Sequence, residues 1–119
     1  MSYDVYIIDR EGNVLNDTSP QITRGGTYSL GDSGRAELNI TYNYSGLICA
    51  ALAKDSGLRS LDGRMCRDTI NDLVQAIMIL DDNVHDDDDW VATEGNARLA
   101  LTQLLLMALH NPYGYWNIV

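Results

Sequence analysis

The apolar period of this chain changes near residue 45, and that change limits what it can fold into. From Arg35 to Tyr44 the sequence alternates. Ala36, Leu38, Ile40, Tyr42 and Tyr44 fall on one side, and Glu37, Asn39, Thr41 and Asn43 on the other. A period of two belongs to a strand with one face on a core and, here, a polar ladder on the other. Further on, apolar residues recur at spacings of three and four, as in Ile70, Leu73, Val74, Ile77 and Met78. That is the period of a helix with a buried stripe. Strands first and helices after point to an α+β fold: an N-terminal antiparallel sheet with helices packed on one face.

The elements can be placed along the chain. Tyr3 to Asp9 reads as a strand, Arg10-Glu11-Gly12-Asn13 as a turn, and Val14-Leu15-Asn16 as a returning arm. A loop containing Pro20 follows. Gly26 to Leu30 and Arg35 to Tyr44 flank Gly31-Asp32-Ser33-Gly34, a turn signal for a second hairpin. About four strands are therefore expected before residue 45. Leu47 to Ala53 is the first helix, ending near Asp55-Ser56-Gly57, and Leu58 to Arg64 is a connector with a turn at Asp62-Gly63. Asp68 or Thr69 opens a second helix running to about Leu80. An acidic loop, Asp81 to Asp89, leads to a third helix capped by Thr93 and stopped at Asn111-Pro112. Leu99, Leu101, Leu104, Leu105, Met107 and Leu109 make this helix apolar on most sides, so it is either central or an oligomer contact. At 119 residues the chain is one domain, residues 1–119, mainly strands to 44 and mainly helices from 45.

Charge narrows the function. Seventeen acidic against eight basic residues leave a formal charge of −9. A field of that sign repels phosphate backbones, which argues against direct nucleic-acid binding and favours a basic protein partner. It leaves room for a small anion held by a local Arg pocket. All the basic residues except Lys54 are Arg, whose planar fork suits carboxylates and phosphates, although genome composition produces the same skew. Cys49 and Cys66 follow no metal or redox spacing and are expected to pack as small hydrophobes in a reducing compartment. No secretory signal opens the sequence, and the apolar stretch Leu99 to Leu109 is too short to span a bilayer. A cytoplasmic protein with no membrane partner is the expectation.

Two polar-aromatic clusters are not what packing alone selects. One is Asn39-Ile40-Thr41-Tyr42-Asn43-Tyr44, although Asn is a poor strand residue. The other is Trp90-Val91-Ala92-Thr93-Glu94-Gly95-Asn96-Ala97-Arg98, which puts Gly at the second position of a long helix. In a binding site built from both, Asn39, Thr41 and Asn43 supply hydrogen bonds and Trp90 stacks on a planar ring. Thr93, Gly95 and Asn96 present unpaired first-turn amides to an anion, and Arg98 neutralises its charge. The competing reading is packing: Gly95 admits the strand, Asn39 or Asn43 caps the helix, and Trp90 anchors the acidic loop.

Arg59, Arg64 and Arg67 form a second anion candidate, against pairing with Asp55, Asp62, Asp68 and Asp72. The run Asp81, Asp82, Asp86, Asp87, Asp88 and Asp89 lacks the Gly and closing Glu of an EF-hand, so no metal is expected. His85 and His110 sit in no catalytic pattern, and Gly25-Gly26 is not a phosphate loop. No catalytic residue and no cofactor are predicted.

The Asn39-Ile40-Thr41-Tyr42-Asn43 strand, the Gly63-Arg64 turn and the Trp90-x-x-Thr93-x-Gly95-Asn96-Ala97 helix start resemble a group of small phage and prophage proteins of unassigned function. That group carries N-[IV]-T-Y-N, G-[KR] and W-x-x-T-x-G-N-A motifs. The resemblance covers residues 39–119 and implies viral origin, hence the host cytoplasm. Small phage proteins of this size often oppose host defence. Some are oligomeric sponges for nucleotide signals, and others are acidic inhibitors of nucleases. The leading expectation is a non-enzymatic, homo-oligomeric protein binding a small anionic or nucleotide-like molecule. One alternative is an acidic inhibitor that mimics nucleic-acid charge and docks on a basic host protein. Another is an accessory virion or assembly protein.

Overall fold

In the sheet, β1 (Ser2–Ile8) lies between β3 (Glu37–Thr41) and β4 (Tyr115–Ile118), and β2 (Thr27–Tyr28) pairs with the far side of β3. The computed structural model describes residues 2–17, 27–28, 34–81 and 93–119. All three pairings are antiparallel, giving the order β2-β3-β1-β4. Tyr3 opposes Ile40, Val5 opposes both Leu38 and Ile118, and Ile7 opposes Trp116. These residues share one face and are buried. On the other face Ser2, Asp4 and Tyr6 oppose Thr41, Asn39 and Glu37.

The α+β architecture and antiparallel sheet are as the sequence leads one to expect, with helices α1 (Ser45–Leu52), α2 (Cys66–Ile79) and α3 (Glu94–His110). Their apolar sides join the inward row of the sheet in one core. The sheet has three strands of four residues or more and a two-residue fourth. One of the three, β4, comes from beyond the last helix, where the sequence reading places no strand. The expected arm at Val14-Leu15-Asn16 shrinks to the bridges Ile8–Val14 and Asn16–Arg35. The strand expected as far as Tyr44 ends at Thr41, whose hydroxyl accepts the Asn43 N–H at 3.3 Å and starts a 3-10 turn over Tyr42–Tyr44. That turn buries Tyr44 completely.

Helix α2 starts earlier than expected, at Cys66 rather than Asp68 or Thr69, and its deepest stripe is shifted from the expected one, although Ile70 and Ile77 still pack against the core. Cys66, Thr69, Leu73 and Ala76 are buried, whereas Ile70, Val74 and Ile77 are only half-buried and Met78 is 75% exposed. Small side chains face inward because α2 lies against both α3 and Trp116, whose indole N–H donates to Thr69 Oγ1 at 2.9 Å. A burial at this depth contributes roughly 1.5–3 kcal/mol for a residue such as Leu73.

The connector before α2 covers the outer edge of β4. Gly63 N–H donates to the Trp116 carbonyl at 2.8 Å, Trp116 N–H to the Arg64 carbonyl at 3.0 Å, and Cys66 N–H to the Gly114 carbonyl at 2.8 Å. Asp62 Oδ1 accepts the Ile118 N–H at 2.8 Å. Gly63 sits at φ +79°, a conformation that favours glycine, which lets the connector turn onto the strand. Among the described residues no helix is long and apolar enough to cross a membrane.

Candidate functional site

Thr93 caps α3 as the sequence suggests. Its Oγ1 accepts the Asn96 N–H at 3.2 Å, and its carbonyl accepts the Ala97 N–H at 3.0 Å. Gly95, Asn96 and Ala97 are buried, with Ala97 in the core. Arg98 Nη1 donates to the Leu80 carbonyl at 3.0 Å. It thereby closes the last turn of α2, where a cation also meets the negative end of the helix dipole. Trp90 lies outside the described residues, as do Gly25, Gly26, His85 and the acidic run from Asp82 to Asp89.

Asn39 and Thr41 lie on the sheet face turned away from the core, and both are buried there. Asn39 Nδ2 donates to Ser2 Oγ at 2.6 Å and to Asp4 Oδ1 at 2.8 Å, so its amide ties β3 to β1. Thr41 is engaged by Asn43 N–H, and the Asn43 side chain is exposed. Asn39 and Thr41 thus lie on the sheet face away from the core, whereas Ala97 of the α3 start is in the core.

The three arginines also separate. Arg59 Nη2 donates to Tyr42 Oη at 3.0 Å, and its guanidinium lies 5.3 Å from the Tyr3 ring centroid. Arg64 pairs with Asp72 at 3.0 Å and donates to the Asp68 carbonyl. Arg67 approaches Asp68 at 3.6 Å and lies 5.9 Å from the Tyr113 ring centroid. Pairing accounts for Arg64 and Arg67, while Arg59 rests on tyrosines. Among the described residues no group of three or more His, Cys, Asp or Glu is placed to hold a metal.

A groove of about 550 Å³ opens elsewhere, between the turn after β1 and the corner from α3 to β4. Leu15, Met65, Pro112 and Gly114 line it with half-buried or buried surface, and Arg10, Glu11, His110 and Tyr113 are exposed around it. None of the described candidates from the two clusters lines it.

Local hydrogen bonds shape its walls. Asp9 carboxylate oxygens accept the backbone N–H groups of Asn13 at 2.9 Å and Glu11 at 3.0 Å, and the Asn13 amide at 3.4 Å. These bonds, the Asn13 N–H first, hold its carboxyl below the usual range and fix the turn that carries Arg10. On the opposite wall, the Asn111 side chain donates to the Met107 carbonyl at 3.1 Å, and His110 Nδ1 donates to the Leu106 carbonyl at 2.9 Å. Gly114 has no room for a side chain, because an added Cβ would meet Ile7 Cγ2 and come within 2.8 Å of Leu15 Cδ1.

Sequence reasoning places Arg10-Glu11-Gly12-Asn13 in a turn but assigns it no role, and stops at Pro112. The signal available was aromatic density: Tyr113, Tyr115 and Trp116 crowd into four residues of a chain whose aromatics are all Tyr and Trp. No family model, curated protein or solved structure matches the chain.

Proposed function

We propose that the protein is a non-enzymatic binding protein that takes a small, anionic, nucleotide-like molecule in the groove between Arg10 and Tyr113. The observation that carries this reading is the composition of that groove. A half-buried apolar floor suits a planar ring, a 71% exposed Tyr113 offers a stacking surface, and Arg10 offers a charged fork to a phosphate or carboxylate. Its size falls within the usual range for small-molecule sites. The described lining holds no Ser, Thr, Cys or Lys nucleophile, and the Asp9 carboxylate is committed to its own turn. The phage-type motifs add the biological setting: a protein acting in the host cytoplasm that sequesters a nucleotide signal.

The test is calorimetric titration with adenosine monophosphate as the probe, alongside mass spectrometry of small molecules released from the purified protein. Arg10→Ala and Tyr113→Ala should each weaken binding about tenfold or more, with thermal stability unchanged because both side chains are exposed. Unchanged affinity in both variants sinks the reading. So does a protein that releases nothing and binds no nucleotide, yet captures a basic partner in a salt-sensitive way lost on neutralising Asp81 to Asp89. That result would establish the acidic-inhibitor alternative.

A further inference from the structure

We infer that Arg67 is a positioning residue of the groove: it holds the Tyr113 ring from behind, so that the other face is set in place for a planar base. The inference rests on the groove being a nucleotide site, and adds to it a residue outside the lining. Tyr113 sits at the corner between α3 and β4 and is 71% exposed. A side chain so open to water keeps its rotamer freedom, and a ligand that stacks on it bears the cost of ordering it. The Arg67 guanidinium lies 5.9 Å from the Tyr113 ring centroid, within reach of a cation–π contact. An aromatic ring offers two faces. Tyr113 borders the groove and Arg67 does not, so the guanidinium takes the face turned away from it.

The frame around the ring is built from the first turn of α2. Cys66 N–H donates to the Gly114 carbonyl and Arg67 N–H to the Pro112 carbonyl, both at 2.8 Å. These two bonds clamp the chain on either side of Tyr113, and the second fixes the Arg67 backbone beside the ring it touches. Asp68 Oδ1 lies 3.6 Å from Arg67 Nε and limits the swing of the guanidinium. Both side chains of that pair are largely exposed, so the pair contributes little to stability by itself. Its consequence is placement: cation and ring are restrained relative to each other before a ligand arrives. The competing role for Arg67 is a direct contact with the phosphate. The two roles differ in their effect on a ligand that has no phosphate.

Calorimetric titration of the full chain with adenosine and with adenosine monophosphate separates them. Arg67→Ala should weaken both ligands by the same factor, about three- to tenfold, because the ring and not the phosphate is affected. Arg67→Met, which keeps an apolar stem without the cation, should give the same loss. In a Tyr113→Ala background, Arg67→Ala should cause no further loss of adenosine monophosphate affinity, since the ring it positions is gone. The melting temperature should hold in both Arg67 variants, because the bond to Pro112 comes from the backbone. A loss confined to adenosine monophosphate would make Arg67 a phosphate contact and overturn the inference. Unchanged affinity in Arg67→Ala, full affinity in Arg67→Met, or full additivity with Tyr113→Ala would also overturn it. In each of those cases a loss in Arg10→Ala still supports the groove as the site. A wild-type protein that binds neither ligand refutes both the groove reading and the role of Arg67.

Discussion

Trp116 donates its indole N–H to Thr69 Oγ1 at 2.9 Å, and both side chains are sealed from solvent. Thr69 in turn donates its hydroxyl proton to the Cys66 carbonyl at 2.7 Å. The last strand and the start of α2 are thus joined by a short polar relay inside an apolar core. Thr69→Val keeps the volume but strands a buried indole N–H, which should cost about 1–3 kcal/mol in urea unfolding. Combined with Trp116→Phe the loss should be less than additive, because the second change removes the group the first left unpaired. Full additivity would show that the bond contributes nothing.

Gly114 should not tolerate a methyl group. An added Cβ falls against Ile7 Cγ2, a β-branched methyl with little freedom, and within 2.8 Å of Leu15 Cδ1. The leucine tip can move, but the isoleucine must shift with its strand. Gly114→Ala is therefore expected to destabilise by about 1–3 kcal/mol, measured as a lower denaturation midpoint at unchanged m-value.

Arg98→Ala separates a structural role from a ligand role. Removing the guanidinium exposes the Leu80 carbonyl at the end of α2. The expected loss is about 1 kcal/mol, read by thermal melting, with adenosine monophosphate affinity unchanged. Lost affinity at full stability would return the ligand to the α3 start.

Burial pushes the Cys66 thiol up to about 12 from its ordinary 9.0. A group held protonated in the folded state contributes its stabilisation in full below the unfolded value. It loses that contribution as pH rises toward the folded one. Stability should thus decline between about pH 9 and 12 in the wild type, and decline less in Cys66→Ala. At neutral pH an alkylating reagent should modify Cys49, which is partly exposed, and reach Cys66 only after denaturation.

How far the sequence could be read depended on whether the cause was local. Helix α3 runs from the residue after Thr93 to His110 as expected, because its cap and its Asn111-Pro112 stop act within a few residues. The inward row Leu38 and Ile40 was legible for the same reason. Strand β4 was not. Four residues carry too little periodicity, and their pairing depends on β1, more than a hundred residues earlier. The face of α2 was legible in part: Leu73 is buried and Ile70 and Ile77 pack against the core as expected, but a second, overlapping stripe of Cys66, Thr69, Leu73 and Ala76 lies deepest. Close packing against Trp116 chose the smaller. The tie from Asn39 to Ser2 and Asp4 rests on strand register, which spacing alone does not reveal.

The connector laid along β4 has a dynamic consequence. Gly63, Arg64 and Cys66 bond to the backbone of residues 114–116, and Cys66 also begins α2. Fraying of that first turn and baring of the strand are then a single opening event with a single free energy. The amides of Trp116 and Cys66 should show a common protection factor against hydrogen exchange. A substitution that loosens the helix entrance is therefore expected to bare the β4 margin of the sheet as well, giving it an unpaired edge.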